Sequence, residues 1–122
     1  MPSSQVFKLK RAYEPATPED GSRILVERLW PRGVTKTQAG LDMWLKDIAP
    51  STELRKWFDH DPAKWAAFQE RYTAELRTHP DLVEQLLQKA REGTVTLVYG
   101  ARDEEHNAAI VLRAFLIAQP HA

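Results

Sequence analysis

Two short stretches of this chain carry residue types able to do chemistry. The first is RILVERLWPRG, from Arg23 to Gly33, in which Arg28, Trp30 and Arg32 are spaced two apart. Arginine presents a rigid fork of donors that matches a phosphate or carboxylate. A tryptophan beside it can stack on an organic ring or hold a guanidinium by cation–π attraction. Glu27 offers the competing arrangement, a structural ion pair with a nearby cation. The second stretch is YGARDEEHN, holding Tyr99, Arg102, Asp103, His106 and Asn107. Histidine is suited to acid–base work near neutral pH, which makes His106 and Asp103 the catalytic candidates. Asp103 either orients that imidazole or caps a helix. Asn107 precedes an apolar run, so its amide needs partners if it is buried, in backbone or in ligand.

Other polar groups have simpler roles open to them. Lys36, Lys46 and Arg55 can extend a positive pocket or lie solvated on the surface. Ser51 follows Pro50 and suits a helix cap, although a helix start can also receive an anion. Asp59, His60 and Asp61 form a triplet able to touch a divalent ion, but the same triplet suits a connection between helices. The four histidines make no HExxH or other compact ligand motif, so no metal is expected. Walker A, GxGxxG and GxSxG patterns are absent, and no cofactor is implied. Asp103, Glu104 and Glu105 would repel a phosphate at their own helix start. An anion therefore belongs near Arg28 and Arg32, and the chain carries no complete catalytic signature.

These residues need elements to position them. Alternation around Val6, Phe7 and Leu9 predicts a strand over 5–10. The apolar succession Ile24, Leu25, Val26 predicts a central parallel strand over 23–29, buried on both faces. Between them, residues 13–21 form a loop with an Asp20-Gly21 turn. Leu41, Trp44, Leu45 and Ile48 predict a short helix ended by Pro50. Ser51 then caps a helix carrying Leu54, Trp57 and Phe58. Asp61-Pro62 starts another, lined by Trp65, Phe68, Tyr72 and Leu76. Pro80 opens a further helix that Gly93 ends. TVTLVY, residues 94–99, is the strongest strand, and Asp103 caps a last helix over 104–118. The expected fold class is α/β, a small layered domain with a short, mostly parallel sheet flanked by helices. In such sheets ligands lie beyond the carboxyl ends of the strands. The loops after residues 29 and 99 are thus expected to share one rim.

Bulk properties narrow the classes. A chain of 122 residues and 14.0 kDa reads as a single domain over 1–122, with frayed ends at about 1–4 and 119–122. Lys+Arg 17 balance Asp+Glu 17, which speaks against a general nucleic-acid binder. Near-neutral charge permits a protein partner or homo-oligomer without indicating one. Cysteine is absent, which removes disulfides and thiolate nucleophiles. No signal-peptide layout and no membrane-length apolar run is present, so a cytoplasmic location without membrane contact is expected.

Four segments together resemble the YeaO-like family of small uncharacterised bacterial proteins, a domain of unknown function. They are RILVERLWPRG, WLKDIAPSTELRKWF at 44–58, FQERYTAEL at 68–76 and VTLVYGARDEEHNAA at 95–109. The resemblance runs from about Phe7 to Leu116. It implies a compact α/β domain in the bacterial cytosol and brings no established substrate. Members of that family commonly place an aspartate where Glu27 stands here. More distant relatives resemble a layout with cysteine near Gly100, a thiol this chain lacks, so covalent thiol catalysis does not carry over.

The residues support a small anion-binding domain, for a phosphorylated metabolite or nucleotide, as the leading expectation. Arg28 and Arg32 would grip the anion, Trp30 would flank its organic part, and Tyr99, Arg102 and Asn107 would complete the pocket. One competitor is a structural or protein-interaction module without catalysis. The other is a hydrolase or transferase using His106 as acid and base.

Overall fold

The computed structural model describes residues 7–119. Four strands make one sheet: β1 (Phe7–Arg11), β2 (Ser22–Leu25), β3 (Met43–Trp44) and β4 (Val95–Tyr99), in the order β1-β4-β2-β3. Every pairing is parallel. Arg11 lies opposite Tyr99, and Leu25 opposite Val98. All carboxyl ends therefore emerge along one edge, where the loops bearing the candidate residues begin.

The described helices are α1 (Lys36–Ala39), α2 (Thr52–Phe58), α3 (Trp65–Leu76), α4 (Pro80–Glu92) and α5 (Ala108–Ile117). Side chains alternate across a strand, so one sheet carries two cores. Phe7, Ile24, Val95, Leu97 and Tyr99 face a large core built with Phe58, Phe68, Tyr72, Leu86 and Leu112. Leu25 and Val98 face a smaller one with Ala12, Val34 and Ala39. Leu97 is fully buried, and truncating such a leucine costs about 2–5 kcal/mol.

The smaller core carries a polar knot. Arg23 is buried and donates to Asp20 Oδ2 at 2.7 Å and to the Ala39 carbonyl at 2.8 and 3.0 Å. Lys10 reaches the same carboxylate at 3.1 Å, and Thr96 Oγ1 donates to the Asp20 carbonyl at 2.6 Å. Gly21 follows with φ +64, and a Cβ there would collide with the Thr94 carbonyl oxygen. Glycine is thus required for the chain to turn into β2.

Several expected elements form as the local signals indicate. Ser51 Oγ accepts from the Leu54 N–H, and Asp61 Oδ1 accepts from the Ala63 N–H. Pro80 opens α4, and β2 lies inside the sheet. Three elements differ. The strand expected over 23–29 ends at Leu25: its pairings with β3 and β4 both stop there, and the Val26 N–H makes a last bond to the Val98 carbonyl at 3.0 Å. The helix expected between Leu41 and Ile48 is instead β3 followed by a 3-10 turn at Lys46–Ile48. Leu41, Met43 and Leu45 also alternate with period two, and pairing with the edge of β2 selects that reading. The last helix begins at Ala108, capped by Asn107 rather than Asp103. Residues 1–6 and 120–122 lie outside the described residues, and with them most of the expected frayed ends and the start of the first strand; Gln119 is described and bonds the Phe115 carbonyl. Among the described residues no helix is long and apolar enough to cross a membrane.

Candidate functional site

The loop leaving β2 is fixed by its own side chains and by its neighbours. Trp44 Nε1 donates to the Glu27 carbonyl at 2.7 Å, and Trp30 Nε1 donates to the Val34 carbonyl at 2.6 Å. Tyr13 Oη donates to the Arg32 carbonyl at 3.1 Å. Arg28 turns back toward the protein. Its Nε and Nη2 donate to the carbonyls of Pro50 and Ala49, both at 3.1 Å, and Nη1 stands 3.5 Å from Asp47 Oδ1. A backbone bonded at this many points holds its remaining side chains at set positions over the sheet edge.

One of those side chains is Glu27. Its Oε2 accepts from the Gly100 backbone N–H at 2.8 Å, which joins the loop after β2 to the loop after β4. Burial pushes the Glu27 carboxyl above the usual range; the Gly100 N–H and the charges of His60 and Arg55 pull the other way without cancelling it. A cleft of about 420 Å³ opens over this junction. Trp30, Phe58, Phe68 and Tyr99 contribute to its apolar wall, while Glu27, Arg28, Arg32, Arg55, His60 and His106 are among its polar lining. The two stretches singled out in the sequence therefore meet at one rim.

Next to the cleft lies a second concavity of about 510 Å³, lined by Arg11, Tyr13, Arg32, Gly100 and Arg102. Three of its lining residues are arginines and none is an aspartate or glutamate. Arg11 is steadied by its Nε bond to the Ala101 carbonyl at 3.0 Å and by stacking 5.0 Å over the Tyr13 ring. The side chains of Arg32 and Arg102 have no hydrogen-bond or ion-pair partner among the described residues, and the same holds for Arg55. Arg32 and Tyr13 line both the cleft and this notch.

The turn before α5 places the remaining candidates. Asp103 Oδ1 accepts from the Glu105 and His106 N–H groups at 2.9 and 3.0 Å, and Oδ2 meets His106 Nδ1 at 3.0 Å. The Glu105 N–H in particular holds the Asp103 carboxyl below its ordinary range; partial burial opposes it, and the His106 contacts add to the lowering. His106 also stands edge-on to Trp65, with ring centroids 5.2 Å apart. Asn107 is buried and caps α5: Oδ1 accepts from the Ile110 N–H and Nδ2 donates to the Asp103 carbonyl. Tyr99 is buried beside it, and its hydroxyl is pushed up by burial and by the charges of Glu104 and Glu14.

Sequence reasoning passed over Arg11 and Tyr13 and treated Glu27 only as an ion-pair partner. Their signal was the end of β1, since residues leaving parallel strands share an edge. Arg55 was named only as an extension of a pocket. Ser51 is occupied structurally, its hydroxyl donating to Glu75 Oε2 at 2.6 Å. Asp61 caps the turn at Pro62–Lys64. Asp59 and His60 both adopt positive φ, 46 and 54, which swings His60 to the cleft. Among the described residues no group of three or more His, Asp or Glu is placed to hold a metal ion.

Comparison with known proteins gives a consistent picture. A family described as the inactive DUF488-N3 subclade matches residues 6–122. The uncharacterized protein YeaO of Escherichia coli K12 is 48% identical over 110 residues, covering 90% of this chain and 96% of that protein. The uncharacterized protein Rv3073c of Mycobacterium tuberculosis H37Rv is 38% identical over 109 residues, covering 89% and 92% respectively. No solved structure matches the chain.

Proposed function

We propose that this chain, which belongs to the inactive DUF488-N3 subclade and is YeaO-like, binds a small phosphorylated or carboxylated molecule without turning it over. The observation that carries this reading is the notch of Arg11, Arg32 and Arg102. Like charges gathered in one concavity repel, and a bound anion relieves that repulsion through charge-assisted, bidentate hydrogen bonds. In this reading Arg32 and Arg102 hold the anion, with Arg11 behind them. Arg28, which the sequence nominated first, braces the loop that presents Arg32. The organic part of the ligand lies in the adjoining aromatic cleft, with Trp30 at its wall.

Binding without turnover accords with the printed description of the subclade as inactive and with the lack of any cysteine. A thermal-shift screen of phosphorylated metabolites tests the reading. Stabilisation by phosphorylated compounds that their dephosphorylated forms do not produce supports it; no stabilisation by any of them counts against it.

A second reading rests on the 3.0 Å contact between Asp103 and His106 at the cleft. An aspartate so placed can orient an imidazole for proton transfer. Hydrolysis of a phosphoester that disappears in His106→Gln would favour that reading.

A further inference from the structure

One residue of the rim carries the wrong charge for an anionic ligand. Arg28, Arg32, Arg55, His60 and His106 line the cleft, and Glu27 is the one acid among its lining residues. Glu27 also touches the wall shared with the notch. Its Oε2 accepts from the Gly100 N–H at 2.8 Å, and Gly100 lines both spaces. A Cβ at Gly100 would lie 3.4 Å from the same oxygen, so the carboxyl sits close against that backbone. Oε1 bonds no group among the described residues, and no ion pair there involves Glu27. A fixed negative charge at this place lowers the positive field that the notch offers a ligand.

The groups around Glu27 set how readily it holds that charge. Its own loop supplies Arg28, engaged by the carbonyls of Pro50 and Ala49, and Arg32. Arg55 of α2 and His60 beyond it favour the ionised form. Tyr72 of α3 feels the Glu27 charge, and its hydroxyl donates to the Ile48 carbonyl at 2.7 Å. Tyr99 of β4, Tyr13 after β1 and His106 before α5 complete the titratable lining, while Glu14 and Asp103 line neither space. Burial outweighs the two cations and opposes the charge.

We propose that Glu27 is a built-in competitor of the anionic ligand: ionised, it weakens the site, and on taking up a proton it admits the anion. The inference rests on the anion-binding reading. An anion held by Arg32 and Arg102 makes a nearby carboxyl harder to ionise, so binding draws in a proton. By linkage, a fall in pH strengthens binding. A protonated carboxyl keeps an acceptor oxygen for the Gly100 N–H, so the two loops stay joined in both states.

Titration calorimetry with sulfate tests this, because phosphate changes its own charge near neutral pH and sulfate does not. At about pH 8, where ordinary histidines are neutral, Glu27→Gln should bind sulfate at least about 3-fold more tightly than wild type. The gap should narrow as pH falls toward about 5. Equal affinity at about pH 8, or weaker binding by the variant, would overturn the competitor role and leave the anion site standing. Failure of both proteins to bind sulfate at either pH would overturn both readings. A second measurement keeps Glu27 intact, whatever its substitution does to folding. The double variant His60→Asn with His106→Gln should still take up protons on binding sulfate, read from the dependence of the binding heat on the buffer's ionisation heat. Absence of uptake between the two pH values would overturn the role of Glu27.

Discussion

Glu27 Oε2 and the Gly100 backbone N–H are 2.8 Å apart. Seventy-three positions of chain separate them, yet this bond closes the rim on which the site is built. Glu27 follows the end of β2 and Gly100 follows the end of β4, two strands that are neighbours in the sheet. A carboxylate here ties the loops together at an electrostatic cost, because burial opposes its charge.

Substitution at Glu27 separates the hydrogen bond from the charge. Glu27→Gln keeps an acceptor for Gly100, whereas Glu27→Ala leaves that N–H without one and should destabilise by about 1–3 kcal/mol more. The pH dependence has a definite sign. An acid whose folded pKa is raised holds its proton in the folded chain after the unfolded chain has released it. Its contribution to stability therefore falls as pH rises from about 4.3, the ordinary glutamate value, through its folded pKa. Urea unfolding between about pH 3 and about pH 8 should show this decline in wild type and lack it in Glu27→Gln.

Asp20 gives the opposite limb. Burial would raise its pKa, but the Thr17 N–H, Arg23, Lys10 and the Thr17 hydroxyl outweigh it and hold it far below the usual carboxylate range. A depressed folded pKa contributes stability above about 3.9, which is lost as pH falls toward the folded value. Asp20→Asn should remove this acid-sensitive limb. It should also lower stability near neutral pH by about 3 kcal/mol or more, because Arg23 is left buried without its anion. A variant as stable as wild type near neutral pH would contradict the buried pair as a stabilising unit.

Arg28 and Arg32 should separate cleanly. Arg28 donates to two carbonyls across the loop, so Arg28→Ala should cost about 2 kcal/mol in urea unfolding. The Arg32 side chain bonds nothing among the described residues, so Arg32→Ala should stay within about 0.5 kcal/mol of wild type. Equal losses would mean that the two arginines are not divided between bracing and binding.

How much of this was legible from residues alone depends on how local each signal is. Pro80, Gly93 and the run of β4 act on their immediate neighbours, and the elements formed where those signals stand. Asp103 and Asn107 are both able to cap. The choice between them was hidden because Asp103 spends its carboxylate on a tight turn, leaving Asn107 to start α5. The region of Leu41 to Ile48 fits two periodicities, and only the sheet edge decides between them. Arg28 was chosen for the chemistry of its guanidinium. Its direction was set by carbonyls more than twenty positions away, which no local pattern records. The meeting of the two chemical stretches was legible from parallel topology, since strand ends share an edge.

The notch is tested most directly by titrating inorganic phosphate into wild type and into the double variant Arg32→Ala with Arg102→Ala, followed by phosphorus NMR at low and high salt. Saturable binding by wild type should weaken with salt, and the double variant should bind at least about 10-fold more weakly with its unfolding midpoint unchanged. Equal phosphate affinity in the two proteins, or no binding by wild type at low salt, would contradict an anion site at Arg32 and Arg102.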